Sequence, residues 1–264
     1  MHKISIILVT RNSKSVLFDC LKSLAENDEI TKTPVSEWII VDNNSTDGSI
    51  EEAAKLYPFV KVIRNADNLG FAKACNQGCK ISSGEYFLFI NTDTKIQKDA
   101  ISKLYSHISK DSSIGVIGPR LIRRDESIQK SAYPEPSLLT EIFKPVVKLI
   151  VSLKENFYSE NKCYTVNSLR GACFIVNKQI MAKAGYFDER YFFYLEETDL
   201  FRQIKLLGKR ICYLPASRVY HYGGLGCDEK MPFDKKKMYK ESKKKYFKKN
   251  RSKFENFIMS CFLK

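Results

Sequence analysis

Four places in the chain hold side chains that can do chemistry. Asp93 follows an apolar run and sits two residues after Asn91 in F-I-N-T-D. A carboxylate there can hold a divalent cation, or it can close the strand through an Asx turn. Glu196, Glu197 and Asp199 form E-E-T-D at the start of a helical pattern. Carboxylates in a first turn complement the helix dipole. The dipole is also expected to keep Glu197 ionised, so it can act as a general base. His221, one of three histidines, lies in V-Y-H-Y-G-G and can be a metal ligand or a structural residue. Asn68 to Gly78 reads N-L-G-F-A-K-A-C-N-Q-G. Gly70 permits close backbone approach near a helix N-terminus, where anions bind; a plain N-cap is the simpler reading.

What these residues could bind is narrowed by what is missing. A nucleotide diphosphate needs its charge neutralised. The G-x-x-x-x-G-K-[ST] loop does not occur, and the turn after the first strand, T-R-N-S-K-S, has no glycine. The remaining route is a divalent cation held by carboxylates and bridging phosphate oxygens.

The elements that must position these groups alternate. Continuous apolar runs at Ile4–Thr10, Trp38–Val41, Val60–Ile63, Tyr86–Ile90 and Ile114–Ile117 read as buried strands. Helical spacing fills the intervals at Ser15–Glu26, from Ser49 (with Glu52 at capping-box spacing), Gly70–Ile81 and Lys98–Ser109. This rhythm predicts parallel strands with helices on both faces. Ligands of such sheets bind at strand C-termini, where Asp42 and Asp93 lie. Beyond Pro119 the chain is Pro-punctuated, with one amphipathic stretch at Leu138–Leu153. Then come a strand at Leu169–Val176, a short helix at Lys178–Ala184, an extended aromatic segment at Tyr191–Leu195 and a helix at Glu196–Leu207.

The 264 residues are 44% hydrophobic, which excludes a wholly disordered chain. No apolar run approaches the roughly 20 residues of a membrane span, and Ile4–Val9 is too short for a signal peptide, so a cytoplasmic location is expected. Eight scattered cysteines without a C-x-x-C pair fit reduced, buried thiols; Cys75 and Cys79 share a helix face without a second ligand pair. The net charge of +14 is concentrated at one end: Lys230–Lys264 has thirteen Lys or Arg against three Asp or Glu. Met231–Lys264 interleaves these lysines with Tyr239, Tyr246, Phe247, Phe254, Phe257 and Phe262. It is expected to touch an anionic membrane at the inner face of the cell membrane, or to pack its rings on the domain.

Together, in order and spacing, these motifs resemble glycosyltransferase family 2. S-I-I-L-V-T-R-N resembles the family's first strand and V-D-N-N-S-T-D-G-S its nucleotide-base loop. N-x-G-F-A-x-A-x-N-x-G follows, and N-T-D stands where the family has a D-x-D-like metal motif. G-A-C-F-I-V and G-Y-F-D-E-R-Y-F-F-Y-L-E-E-T-D-L resemble the acceptor-side region with its E-D-x-D element. The match runs from about Ile4 to Gly224.

The resemblance implies an α/β chain of GT-A fold, a mixed, mainly parallel sheet flanked by helices, over residues 1–225. Residues 1–120 would hold the donor, 121–225 would shape the acceptor site, and 226–264 would be a basic tail. It implies an inverting transfer of one sugar from a nucleotide-sugar donor to an acceptor hydroxyl, with Mn²⁺ or Mg²⁺. Thr10 and Asp42 would contact the nucleobase, Asp42 accepting from a pyrimidine N3–H. Asn68, Gly70, Lys73 and Asn76 would flank base and ribose. Asp93 would be the principal metal ligand, His221 a second, and Glu197 the base. Asn91 replaces the first Asp of D-x-D, as in the rhamnosyltransferase-like branch. Glu197 replaces the usual Asp, with Glu196 as its nearest substitute. The branch points to dTDP-L-rhamnose first and UDP-hexoses second, and to a growing or lipid-linked surface glycan as acceptor. The rival reading is a non-catalytic nucleotide-sugar-binding or nucleic-acid-binding protein; carboxylates at strand ends would repel nucleic acid.

Overall fold

Strand β1 (Ile4–Thr10) is buried along nearly its whole length, which is why its sequence is a continuous apolar run. Next come α1 (Lys14–Ala25), β2 (Val35–Asp42), α2 (Ser49–Leu56), β3 (Lys61–Arg64) and α3 (Phe71–Ile81). They are followed by β4 (Tyr86–Asn91), β5 (Thr94–Ile96), α4 (Ala100–Lys110), β6 (Ile114–Ile122), β7 (Ile128–Gln129) and β8 (Ala132–Tyr133). The second half holds α5 (Leu138–Ile142), α6 (Lys144–Phe157), β9 (Tyr164–Val166), β10 (Ser168–Leu169), β11 (Cys173–Asn177) and α7 (Lys178–Lys183). Helix α8 (Glu196–Leu206), β12 (Arg210–His221), α9 (Lys235–Asn250) and α10 (Lys253–Phe262) complete it. The computed structural model describes residues 4–26, 35–223 and 234–262. Gly224 and residues 226–233 of the expected tail lie outside the described residues.

The main sheet runs β3-β2-β1-β4-β11-β6-β12-β5. Strands β3, β2, β1 and β4 are mutually parallel; β11 is antiparallel to β4 and β6, and β12 is parallel to β6. The expected mixed, mainly parallel α/β sheet is therefore what forms. Each central strand feeds two cores. Leu88, Ile90 and Ile175 join α1, α2 and α4 on one face, while Phe87, Phe89 and Phe174 join α3, α7 and α8 on the other. Phe89 lies 5.0 Å from Phe174 and 5.2 Å from Phe187, ring centre to ring centre. Its loss to alanine would cost about 3–5 kcal/mol.

Five local expectations need correction. Helix α2 starts at Ser49 but is not capped by it: Gly48 is the N-cap, and the Ser49 amide and hydroxyl both donate to Asp47 Oδ1. The strand expected at Ile114–Ile117 continues to Ile122. The run Leu169–Val176 breaks into β10 and β11 at Gly171. Leu138–Leu153 is two helices, because Pro145, with no N–H to donate, cannot continue α5 and instead opens α6. Tyr191–Leu195 is bent, not extended: Tyr194 and Leu195 both have positive φ, 72° and 66°.

The basic stretch 235–262 is not a free tail. Tyr246 and Phe247 are fully buried and join Tyr191, Leu195 and Met259 in a third small core. No helix among the described residues is long and apolar enough to cross a membrane.

Candidate functional site

Strands β1 and β2 end side by side, with Thr10 opposite Asp42. Both are buried. The Thr10 and Ser13 hydroxyls are 2.5 Å apart, and Asp42 Oδ1 accepts from the Ser45 amide (3.0 Å) and hydroxyl (2.5 Å). The two following loops are laced together: the Asn12 amide donates to Ser45 Oγ and the Thr46 amide to Asn12 Oδ1. Sequence reading passed over Arg11, between them. Its Nε is buried without a hydrogen-bond partner. The available signal was a cation placed directly after a buried strand.

Asp93 follows β4 and His221 ends β12. The sheet brings them together, since His221 pairs with Thr94 and the Tyr222 amide donates to the Asp93 carbonyl at 2.9 Å. Their side chains are buried, with His221 Nε2 3.4 Å from Asp93 Oδ1. His221 Nδ1 is 2.6 Å from Gln129 Oε1. Gln129 Oε1 is placed to accept from Nδ1, the arrangement in which Nε2 serves as the donor atom of a metal ligand. Gln129 comes from the two-residue β7, 92 positions away in sequence, and nothing local pointed to it. No group of three His, Cys, Asp or Glu that could hold a metal occurs among the described residues. Asp93 and His221 would supply two side-chain ligands to a divalent cation, which would neutralise phosphate charge there.

Helix α3 packs against the segment before α8. The buried Asn76 amide donates to the Phe187 carbonyl and Glu189 Oε1, and accepts from the Phe187 amide. Gly70 has φ 81°, and a Cβ there would lie 2.5 Å from the Phe192 carbonyl oxygen. The close approach that requires glycine is to the chain's own backbone. Asn68 Oδ1 accepts from the Gly70 amide at 3.0 Å, and Lys73 is exposed.

Glu196 and Glu197 open α8 behind the strained pair Tyr194–Leu195. Such backbone costs about 1–3 kcal/mol per residue and needs support elsewhere. The Oε2 atoms of both glutamates are buried and unpartnered. Burial pushes both carboxyls up, Glu196 well above its ordinary value with Glu197 adding to the rise, while backbone amides and Arg170 partly offset the rise at Glu197. The dipole does not keep Glu197 in the ordinary carboxylate range, as its place on the helix suggested, because desolvation outweighs it. Glu197 stays partly accessible, whereas Glu196 is buried. A Cβ on Gly171 would lie 3.2 Å from Glu197 Cγ. The next residue, Ala172, accepts at its carbonyl from the Asn91 amide at 2.8 Å. One short segment thus touches both the Glu197 side chain and the turn that carries Asp93.

Support for the strained segment comes from α9. Ser242 Oγ donates to the Phe193 carbonyl, Lys245 Nζ to the Arg190 carbonyl, and Tyr239 packs edge-on against Tyr194. Lys249 pairs with Asp199 at 2.6 Å and Asp188 at 2.9 Å, and Asn250 also donates to Asp199. These lysines are engaged within the fold. A cavity of about 570 Å³, between α3, the 184–189 segment and Lys249, shares only Asn76 with the expected site residues.

Residues 5–180 match the family described as Glycosyl transferase family 2. The chain is 28% identical over 223 residues to the N-acetylglucosaminyl-diphospho-decaprenol L-rhamnosyltransferase of Mycobacterium tuberculosis, covering 75% of this chain and 70% of that one. Its fold is similar to the mannosyltransferase PcManGT from Pyrobaculum calidifontis in complex with GDP-Man and Mn²⁺ (TM-score 0.66, 16% identity, 99% of this chain, 69% of that one). It is also similar to S. aureus TarS 1-349 in complex with UDP-GlcNAc (TM-score 0.65, 20% identity, 92% and 64%). With the sheet, the motif order and residues 5–180 in agreement, this chain belongs to glycosyltransferase family 2 and is a glycosyltransferase of GT-A fold.

Proposed function

We propose that the protein transfers one sugar, with inversion, from a nucleotide-sugar to a hydroxyl of a growing or lipid-linked glycan. The donor would be dTDP-L-rhamnose, with UDP-hexoses second. Supporting the first is 28% identity to an enzyme named as a rhamnosyltransferase acting on a diphospho-decaprenol acceptor; supporting the second is the fold shared with a protein bound to UDP-GlcNAc. Thr10 and Asp42 would receive the base, beside Asn68 and Lys73. Arg11, with its buried unpartnered Nε, would face the diphosphate. Asp93 and His221 would hold Mn²⁺ or Mg²⁺, which when bound neutralises the diphosphate as it leaves. The membrane contact expected of residues 231–264 narrows to Phe254, Phe257 and Phe262, which are exposed.

Glu197 would take the acceptor proton as the hydroxyl attacks the anomeric carbon. A single carboxylate is enough for one in-line displacement. Its elevated pKa makes it a stronger base than an ordinary carboxylate. The carrying observation is the Glu197 side chain packed against Gly171, next to the Asp93 turn, with its Oε2 left unpartnered. Glu197→Gln keeps the shape and removes the basicity. It should lower kcat by about 10²- to 10⁴-fold and leave donor Kd unchanged. Glu196→Gln should do much less. Near-normal turnover in Glu197→Gln removes Glu197 from the mechanism.

A further inference from the structure

Helix α6 turns a large apolar face to solvent. Phe143, Val146, Ile150, Leu153 and Phe157 recur at spacings of three and four, so they share one stripe. All are exposed, Phe157 by 82%. Helix α5 contacts α6 on one side and α10 on the other, and α10 adds Phe254 and Phe257, each 68% exposed. A stripe of this length on a soluble chain marks a contact site.

Charge identifies the partner. Every acidic residue described on these three helices is turned inward. Glu141 pairs with Lys243 at 2.8 Å; Glu155 accepts from the amides of Ser131 and Ala132; Glu255 accepts from the Leu138 amide. Lys154 and Lys253 are exposed: Lys154 flanks the apolar stripe of α6, and Lys253 stands four residues before Phe257 on α10. Segregation of this kind, apolar stripe and cations outward with anions inward, is the chemistry of a helix lying in the headgroup region of an anionic bilayer.

We propose that α5, α6 and α10 dock the protein on an anionic lipid bilayer, with α6 lying in the headgroup plane. The proposal rests on the tail-contact reading only at α10; α6 is outside the 231–264 segment. It is independent of the donor and of the base.

The test is flotation of the full chain with vesicles of equimolar phosphatidylglycerol and phosphatidylcholine, against pure phosphatidylcholine. The wild type should float with the anionic vesicles at low salt and be released as salt rises. Ile150→Glu/Phe157→Glu should lower the bound fraction by about tenfold or more, and Lys154→Glu/Lys253→Glu by a similar factor. All four sites are exposed, so the thermal midpoint should not move, and the lysine pair decides the matter if the apolar pair misfolds. A Phe254→Ser/Phe257→Ser variant separates the two readings. If it alone abolishes flotation, the tail contact stands and the α6 proposal falls. If the wild type does not float, both fall. If light scattering shows a dimer that Ile150→Glu/Phe157→Glu splits while flotation is unchanged, the stripe is an interface between copies and the proposal falls.

Discussion

Asp93 with His221 and Glu196 with the partly accessible Glu197 are two pairs joined through one segment, and they are held in opposite ways. The first pair stands on the ends of β4 and β12, where ladder hydrogen bonds fix the backbone and Gln129 fixes the imidazole. The second follows two non-glycine residues of positive φ, has two orphaned carboxyl oxygens, and depends on α9 for support. A cation needs ligands already in place, and a sheet edge provides them. A base needs an elevated pKa, which burial provides at the expense of stability. With the proposed roles, the difference would separate an electrostatic site built on rigid elements from a proton-transfer site built on strain.

The sharpest way to break this comparison is at the metal pair. Asp93→Ala should remove cation-dependent activity, by about 10³-fold or more, while leaving the thermal midpoint nearly unchanged. Full EDTA-sensitive activity in that variant would take Asp93 out of the site. Gln129→Ala sharpens the same point. It frees the His221 tautomer and should weaken Mn²⁺ affinity by about 10- to 100-fold with little effect on metal-free donor binding, both readable by calorimetry. An unchanged Mn²⁺ titration would make the Gln129 contact structural only.

The two regions were also unequally legible in the sequence. Buried parallel strands read as apolar runs, so β1, β2 and β4 and the placement of Asp42 and Asp93 at their ends followed directly. Local periodicity carried that information. Nothing local carried the rest. Tyr191–Leu195 looked like a strand because of its rings, yet each ring answers to a different partner: Tyr191 to Tyr246, Phe193 to Phe71, Tyr194 to Tyr239. The chain must bend to reach all three. Asn76 and Gly70 carried the right residue types for a ligand site, but their partners, Phe187 and Phe192, lie more than 100 residues away. Residues 138–153 were readable as amphipathic; that their apolar face would stay uncovered was not.

Support from α9 is tested at Lys249. Asp199 is 1% exposed and accepts from Lys249, Asn250 and Tyr191. Lys249→Met keeps the stem and removes the charge, leaving a buried carboxylate with two neutral donors. The expected loss is about 2 kcal/mol, read as a Tm fall of about 4–8 °C. Because the same contacts brace residues 188–195, kcat should fall more than donor affinity. A Tm loss with unchanged kcat would mean that α9 stabilises the fold without positioning the base.

The most gradual effect concerns Glu196, and its sign discriminates. Burial raises its folded pKa well above the ordinary 4.5, with Glu197 adding to the rise. In the unfolded chain Glu196 ionises near 4.5; in the folded chain it holds its proton to higher pH. The unfolded state therefore binds fewer protons in that window, and stability falls as pH rises from about 4.5 to the folded pKa, by about 1.4 kcal/mol per pH unit. Glu196→Gln removes that titration. It should match the wild type near pH 4 and become the more stable protein as pH increases, levelling once the wild-type carboxyl has ionised. Urea midpoints across pH 4–8 measure it. Glu197 predicts a separate signature in activity: kcat/KM should fall on the acid side at a pH above the usual carboxylate range, and Glu196→Gln, which replaces a carboxyl still protonated there, should leave that limb in place. If the limb moves, the two carboxyls share a proton. If no stability gap opens, burial does not raise Glu196, and strain alone distinguishes this site from the Asp93 turn.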